Sequence, residues 1–440
     1  MKPPVSASPA SRSAFLLDRK RVAAIFAAVI FGGSAGALAQ EASRPPMLLS
    51  SPSARNGAAA NIGAQISDVA VTRRRPVAVD LGILDPRSTK AANQIAVELF
   101  DGRVLTLVLD RVEQRGPGNF TWRGKVLGQG ASQAILTVVA GQISGSVVLF
   151  DSGTRTGDTY QIQSDANGAA SLRQVDPNGF PPDHPSGAEK LLAPPSTSAR
   201  TSTAADVVTT TSTTSTATAA ADSGDTIDVM VVYSDQTAAA AGITIGSQIQ
   251  QAVDRANTAY ANSGITTRLR LVHYEPANYA ESGDFNTDLN RLTGGSDGYM
   301  DNVPTLRNTY GADLVSLFIE NTAYCGIAWI GPSASHGFSV VNRGCASGNL
   351  TLAHELGHNF GARHDPYVDS STSPYAYGHG LTNPGQGWRT VMAYNNACSA
   401  AGTSCTRIPY FSNPNLTYGN PPDPLGTTST SDNARAHNTS

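Results

Sequence analysis

The stretch TLAHELGHNFGARHD, Thr351 to Asp365, places three histidines, a glutamate and a glycine at spacings that suit hydrolysis around a metal ion. His354 and His358 are four apart, so on a helix their imidazoles leave one face and can meet a single ion at about 2.0–2.1 Å. Gly361 can adopt the positive backbone dihedral that ends a helix and turns the chain back, which delivers His364 to the same ion. Three neutral imidazoles with one corner open form the donor set of a catalytic zinc, whose coordinated water has its pKa lowered towards about 7. A structural zinc would use four protein ligands. Glu355 follows the first histidine and is no ligand; its carboxylate can take the proton of that water and pass it to a leaving amine. Any one of these residues alone is ordinarily structural or solvated, but all of them in this register point to a catalytic centre.

The elements that must position this segment begin at about residue 226. Ile227 to Ser234 (IDVMVVYS) is a run of strand formers, and Ile249, Val253, Ala256 and Tyr260 fall on one face of a helix. RLRLVHY from Arg268 alternates as a strand, Val303 to Tyr310 reads as helix, and DLVSLFIE from Asp313 is suited to a buried strand. Strands alternating with helices predict an α/β (α+β) domain over 226–440, a twisted mixed and largely parallel sheet that carries the active-site helix. After Gly361 little regular structure is visible.

Upstream, 40–192 reads as a small all-β unit: IAVELF, VLTLVL, AILTVV and SGSVVLF are apolar or alternating runs between turn signals. It has no cysteine and one histidine, His184, so a folded pro-domain is the expectation. Residues 193–225 are Ser, Thr, Ala and Pro in the main, a composition for a flexible, cleavable linker. Residues 1–39 read as a signal peptide: Arg19, Lys20 and Arg21 precede an apolar run from Val22 to Phe31, and Ala37-Leu38-Ala39 offers a cleavage site. That run is half the roughly 20 residues a membrane span needs, so export is expected rather than anchoring. A net charge of −3 with 15% charged residues argues against nucleic-acid and membrane partners.

The pattern H-E-x-x-H-x-x-G-x-x-H resembles the metzincin metallopeptidases, and Asp365 after it resembles their reprolysin branch. Metzincins also carry a Met-turn. TVMAY, Thr390 to Tyr394, resembles one, 28 residues after His364, with Met392 as the thioether floor. Tyr394 resembles the tyrosine that in astacins and serralysins moves to and from zinc and stabilises the oxyanion; reprolysins lack it. From about Thr226 onward, AYGHG, WRTVMAY, the Cys398 and Cys405 pair, RIPYFSNP and DNARAHN resemble the peptidyl-Asp metallopeptidases, bacterial enzymes related to endoproteinase Asp-N that cut on the amino side of aspartate. The resemblance implies a secreted zymogen with one catalytic zinc, protein or peptide substrates, and a pocket for a carboxylate that needs an arginine. Arg407 is the first candidate, with Arg389 and Arg435 as alternatives. It further implies that the strand through Gly326 and Ala328 is the edge on which extended substrate pairs. The sequence gives no reading for calcium.

All four cysteines lie in the last third of the chain, as disulfides of an exported domain would. Of three possible pairings, Cys325 with Cys345 and Cys398 with Cys405 is favoured, because each closes a local loop near the cleft. The pro-domain is expected to inhibit or to aid folding. It cannot inhibit through a thiol, because no cysteine precedes Cys325. Asp183-His184 could reach the metal, yet a solvated loop pair is the plainer expectation. The rival readings are a broad-specificity metzincin without a usable arginine, and a metal-binding module without turnover, against which Glu355 argues.

Overall fold

The computed structural model describes residues 44–52, 70–149, 158–184 and 226–440; the expected signal peptide (1–39) and linker (193–225) lie outside the described residues. Nine antiparallel strands form the first unit: β1 (Leu49–Ser50), β2 (Val71–Val79), β3 (Gln94–Glu98), β4 (Val104–Gly116), β5 (Asn119–Val126), β6 (Gln129–Val139), β7 (Gln142–Leu149), β8 (Asp158–Ser164) and β9 (Ala170–Val175). Their order is β1-β2-β9-β8-β7-β6-β5-β4-β3. A bridge between Met47 and Ala96, with the Leu48 amide donating to the Ala96 carbonyl, joins the two edges and closes the sheet into a barrel. Alternation decides what faces in: Phe120, Trp122, Leu136 and Val138 fill its core, while Thr121, Arg123 and Thr137 on the same strands point out.

The second unit is built on the strands β10 (Thr226–Tyr233), β11 (Arg268–Pro276), β12 (Leu314–Ile319), β13 (Gly326–Ala328) and β14 (Phe338–Asn342). Their order is β11-β10-β12-β14-β13, parallel except for the antiparallel edge strand β13. Helices lie between and over them: α1 (Asp235–Ala241), α2 (Ile245–Asn262), α3 (Phe285–Thr293), α4 (Val303–Tyr310), α5 (Arg343–Ala346) and α6 (Thr351–Asn359). The unbroken apolar run of β10 is explained by burial on both faces. Val229 and Val231 meet α2 and α6 in one core, whereas Met230 and Val232 meet α3 and α4 in another. The expected helical face of α2, Ile249 to Tyr260, lies in the first of these cores.

Short pieces complete the unit: β15 (Thr382–Asn383), β16 (Trp388–Arg389), α7 (Asn396–Ala400), β17 (Thr406–Arg407), β18 (Asn413–Tyr418), β19 (Asp423–Leu425) and α8 (Asn433–Thr439). In the small sheet β15-β16-β17, Trp388 pairs with Thr406 and Arg389 with Arg407 in parallel register. Disulfides join Cys325 to Cys345 and Cys398 to Cys405. The first ties β13 to the segment that precedes α6, and the second closes the loop that leads into β17. Among the described residues no helix is long and apolar enough to cross a membrane.

Candidate metal centre

Helix α6 turns its apolar side, Leu352, Ala353 and Leu356, into the core below β10. The other side carries His354, Glu355 and His358, all buried. The helix ends where Gly361 takes φ +83°. A side chain there would also collide with Pro374 and Tyr375, so glycine is required on two counts. The returning chain brings His364 back until its Nε2 lies 3.0 Å from that of His358. Met392 is fully buried beside the same helix: a Cβ on Gly357 would stand 2.7 Å from its sulfur. Asp365 fastens the two segments together, its carboxylate accepting from the amides of Tyr394 at 2.9 Å and Tyr367 at 3.2 Å. The half-buried Tyr394 ring lies 4.1 Å from that of His364.

Two of the other ring nitrogens are committed elsewhere. Nδ1 of His354 donates to the Val391 carbonyl and Nδ1 of His358 to that of Ala362, both at 2.8 Å. Such bonds fix the tautomer and leave Nε2 free for a metal. His379, of the AYGHG segment, holds the next part of the loop, with Nδ1 2.7 Å from the His364 carbonyl. Burial, and then the neighbouring imidazoles, push His354, His358 and His364 well below the usual imidazole range, so they stay neutral as ligands must. Burial, reinforced by the charge of Asp183, pushes Glu355 well above the ordinary carboxyl range.

The set fits an ion. One ligand nitrogen from each of His354, His358, His364 and His184 lies within 4.8 Å of the others. His354 Nε2 and Glu355 Oε2 are buried and have no hydrogen-bond partner among the described residues. Nitrogens at about 2.0–2.1 Å from one zinc stand roughly 3.4 Å apart in a tetrahedron, a spacing that small side-chain adjustments reach from here.

His184 overturns the expectation of a solvated loop pair. It is buried, with Nε2 2.8 Å from Glu355 Oε1, and its ring lies about 5 Å from all three histidine rings. Asp183 beside it is captured as firmly. Its carboxylate accepts from Arg407 at 2.7 Å, Arg389 at 3.3 Å and Asn349 at 3.0 Å. Burial opposes the charge, yet Arg407 and Arg389 hold the Asp183 carboxyl down at about 2. Two successive amides of the edge region, Cys325 and Gly326, donate to the carbonyls of Pro182 and Asp183 at 2.8 and 3.0 Å. These backbone donors and the two guanidiniums draw in a pair that would otherwise be solvated.

Arg389 and Arg407 converge because paired residues on neighbouring strands project from the same face of a sheet. Arg389 also donates to the Cys405 and Ala393 carbonyls, and Arg407 to that of Asn349. Arg435, by contrast, is exposed on α8 and covers the Tyr377 ring at 3.9 Å, so it takes no part in this site. Ala328 pairs with Ser339 on β14, further along the edge strand whose first residue, Gly326, meets the Asp183 segment. Asn349 has no motif around it, and its contact with Asp183 could not be anticipated.

A buried three-histidine cluster on a helix and its returning loop, with a carboxylate beside it, defines a metallopeptidase-like centre. Residues 223–412 match the metallo-peptidase family M12, in its reprolysin-like form. A peptidyl-Asp metalloendopeptidase of Xanthomonas campestris pv. campestris is 35% identical over 424 residues, covering 93% of this chain and 94% of that protein. Another of that description, from Stenotrophomonas maltophilia, is 39% identical over 359 residues, 78% of this chain and 81% of the relative. One from Pseudomonas fragi is 42% identical over 168 residues, 38% of this chain and 88% of the relative. The chain therefore belongs to the peptidyl-Asp metalloendopeptidase family and is a zinc metalloendopeptidase.

Proposed function

We propose that the chain is a secreted, metzincin-type endopeptidase that cuts on the amino side of aspartate and is made as a latent precursor. On this reading 1–39 is the signal peptide, 40–192 the pro-domain, 193–225 the linker and 226–440 the peptidase. His354, His358 and His364 hold one zinc ion, and Met392 supports their helix from beneath. When bound, the ion polarises the scissile carbonyl and brings a coordinated water to a pKa near 7. Glu355 takes the proton of the attacking water and hands it to the departing nitrogen. Tyr394, beside His364, donates to the developing oxyanion. Substrate lies along the edge through Gly326 and Ala328, and Arg407 with Arg389 receives its aspartate.

One observation carries the specificity: a carboxylate of this chain, Asp183, already sits between those two arginines, one residue from the ring that faces Glu355. The same segment supports latency by the pro-domain, because the His184 ring fills the space between the base and the metal ligands. The test is to digest a denatured proteome with the mature enzyme, with and without a zinc chelator, and to read the residues flanking each cut. Aspartate is expected after most cuts, and no cuts with chelator. Arg407→Ala is expected to lose cleavage before Asp by about a hundredfold, more than it loses other cleavage. Cuts scattered among residue types would identify a broad-specificity enzyme, and the absence of cuts with zinc supplied would identify a binding module.

A further inference from the structure

The helix α2 has two unlike faces, and both are buried. Its apolar side belongs to the core of the peptidase unit. Its other side, Gln250, Gln251, Asp254 and Arg255, lies under the β-barrel although nothing in it is apolar. Asp254 is the centre of the contact. Its carboxylate accepts from Arg115 at 2.6 Å, Thr121 at 2.5 Å and Thr137 at 2.8 Å, all three from the outward face of the barrel. Arg123 donates to Thr258 at 2.8 Å, and Gln251 donates to the Ile135 carbonyl at 3.2 Å.

Each side of this contact has its own apolar core, and neither core runs across it. Two separately cored bodies that meet largely through charged and hydrogen-bonded side chains, with Ile135 and Val148 of the barrel among the apolar ones buried there, expose little apolar surface when they part, as transient protein partners do. Chain order adds the second half. Asp183 and His184 follow directly from β9 and precede the 193–225 stretch, so they belong to the barrel side of any cut made there. A cut in that stretch severs the covalent link and leaves both contacts in place. One body that grips at α2 and beside Glu355 holds each grip at high effective concentration through the other.

We propose that the β-barrel unit is a protein inhibitor of the peptidase unit: after the chain between them is cut it stays bound over α2, and its dissociation is the activating step. This rests on the reading of Asp183 and His184 as the residues that block the cleft. The test inserts a recognition sequence for a site-specific protease near residue 210 of the full-length chain, cuts it, and follows size exclusion together with hydrolysis of an Asp-containing peptide. The cut wild type is expected to elute as one complex and to remain as inactive as the uncut chain. Asp254→Ala, which leaves Arg115 without its buried partner, is expected to weaken the complex by roughly a hundredfold, so that cutting and dilution release activity. Arg115→Ala, at a half-exposed position on the barrel, makes the same test if Asp254→Ala does not fold. Fragments of the wild type that part and become fully active on cutting overturn this inference and leave latency standing. Activity in the uncut chain, or full activity in a complex that stays together, overturns the cleft-blocking reading as well.

Discussion

At the scale of single residues, the three histidines and Glu355 could be read from spacing because helix geometry and one glycine fix where their side chains go. Asp183 and His184 could not. Their partners Arg389, Arg407 and Glu355 lie 206, 224 and 171 residues away, and no local pattern announces a contact at such separation. Two substitutions in the precursor address them. Asp183→Asn keeps the outline of the side chain and removes its charge, and breaking one member of a buried ion pair typically costs about 3–5 kcal/mol. His184→Ala takes the ring away from Glu355. Both precursors are expected to hydrolyse an Asp-containing peptide before any processing, at a rate at least about tenfold above the wild-type precursor. Silence from both would mean that neither side chain closes the cleft.

At the scale of elements, periodicity disclosed β3, β4, β6 and β7 of the nine barrel strands, the apolar side of α2 and the β10–β12 core. The polar side of α2 carries no such signal: Gln250, Gln251 and Asp254 have the composition of a solvated face, and only a partner surface supplied by β4 to β7 buries them. Closure of the barrel was equally hidden, since it depends on the Met47–Ala96 bridge and not on any strand's own pattern. The C-terminal α8 illustrates the same point and gives a pH dependence. His437 is buried against Tyr260, Phe360 and Phe411, and burial pushes it from 6.5 to about 4. The unfolded chain therefore binds this proton more readily than the folded one. The contribution to stability is complete above about pH 6.5 and is lost as the pH falls through 4. In urea unfolding, the wild type is expected to lose roughly 3 kcal/mol more than His437→Gln between pH 7 and pH 4. Equal losses would place the ring in solvent.

At the scale of the whole molecule, two cored bodies share one chain, and the segment between β9 and Asp183 carries the first to the histidine cluster of the second. What that arrangement conceals is a pair of like charges. Arg389 and Arg407 stand side by side on β16 and β17, and burial together with Arg407 lowers Arg389 to about 10. While Asp183 is present their repulsion is quenched; once it departs, the vacated niche is cationic. A visiting carboxylate then gains both its hydrogen bonds and the relief of that tension, whereas an amide of the same outline gains only the bonds. The niche is thus expected to sort visitors by charge rather than by shape, with peptides bearing Asn cut at least about a hundredfold more slowly than their Asp counterparts in paired kcat/KM measurements. Near-equal rates would show that the two guanidiniums act as donors and not as a field.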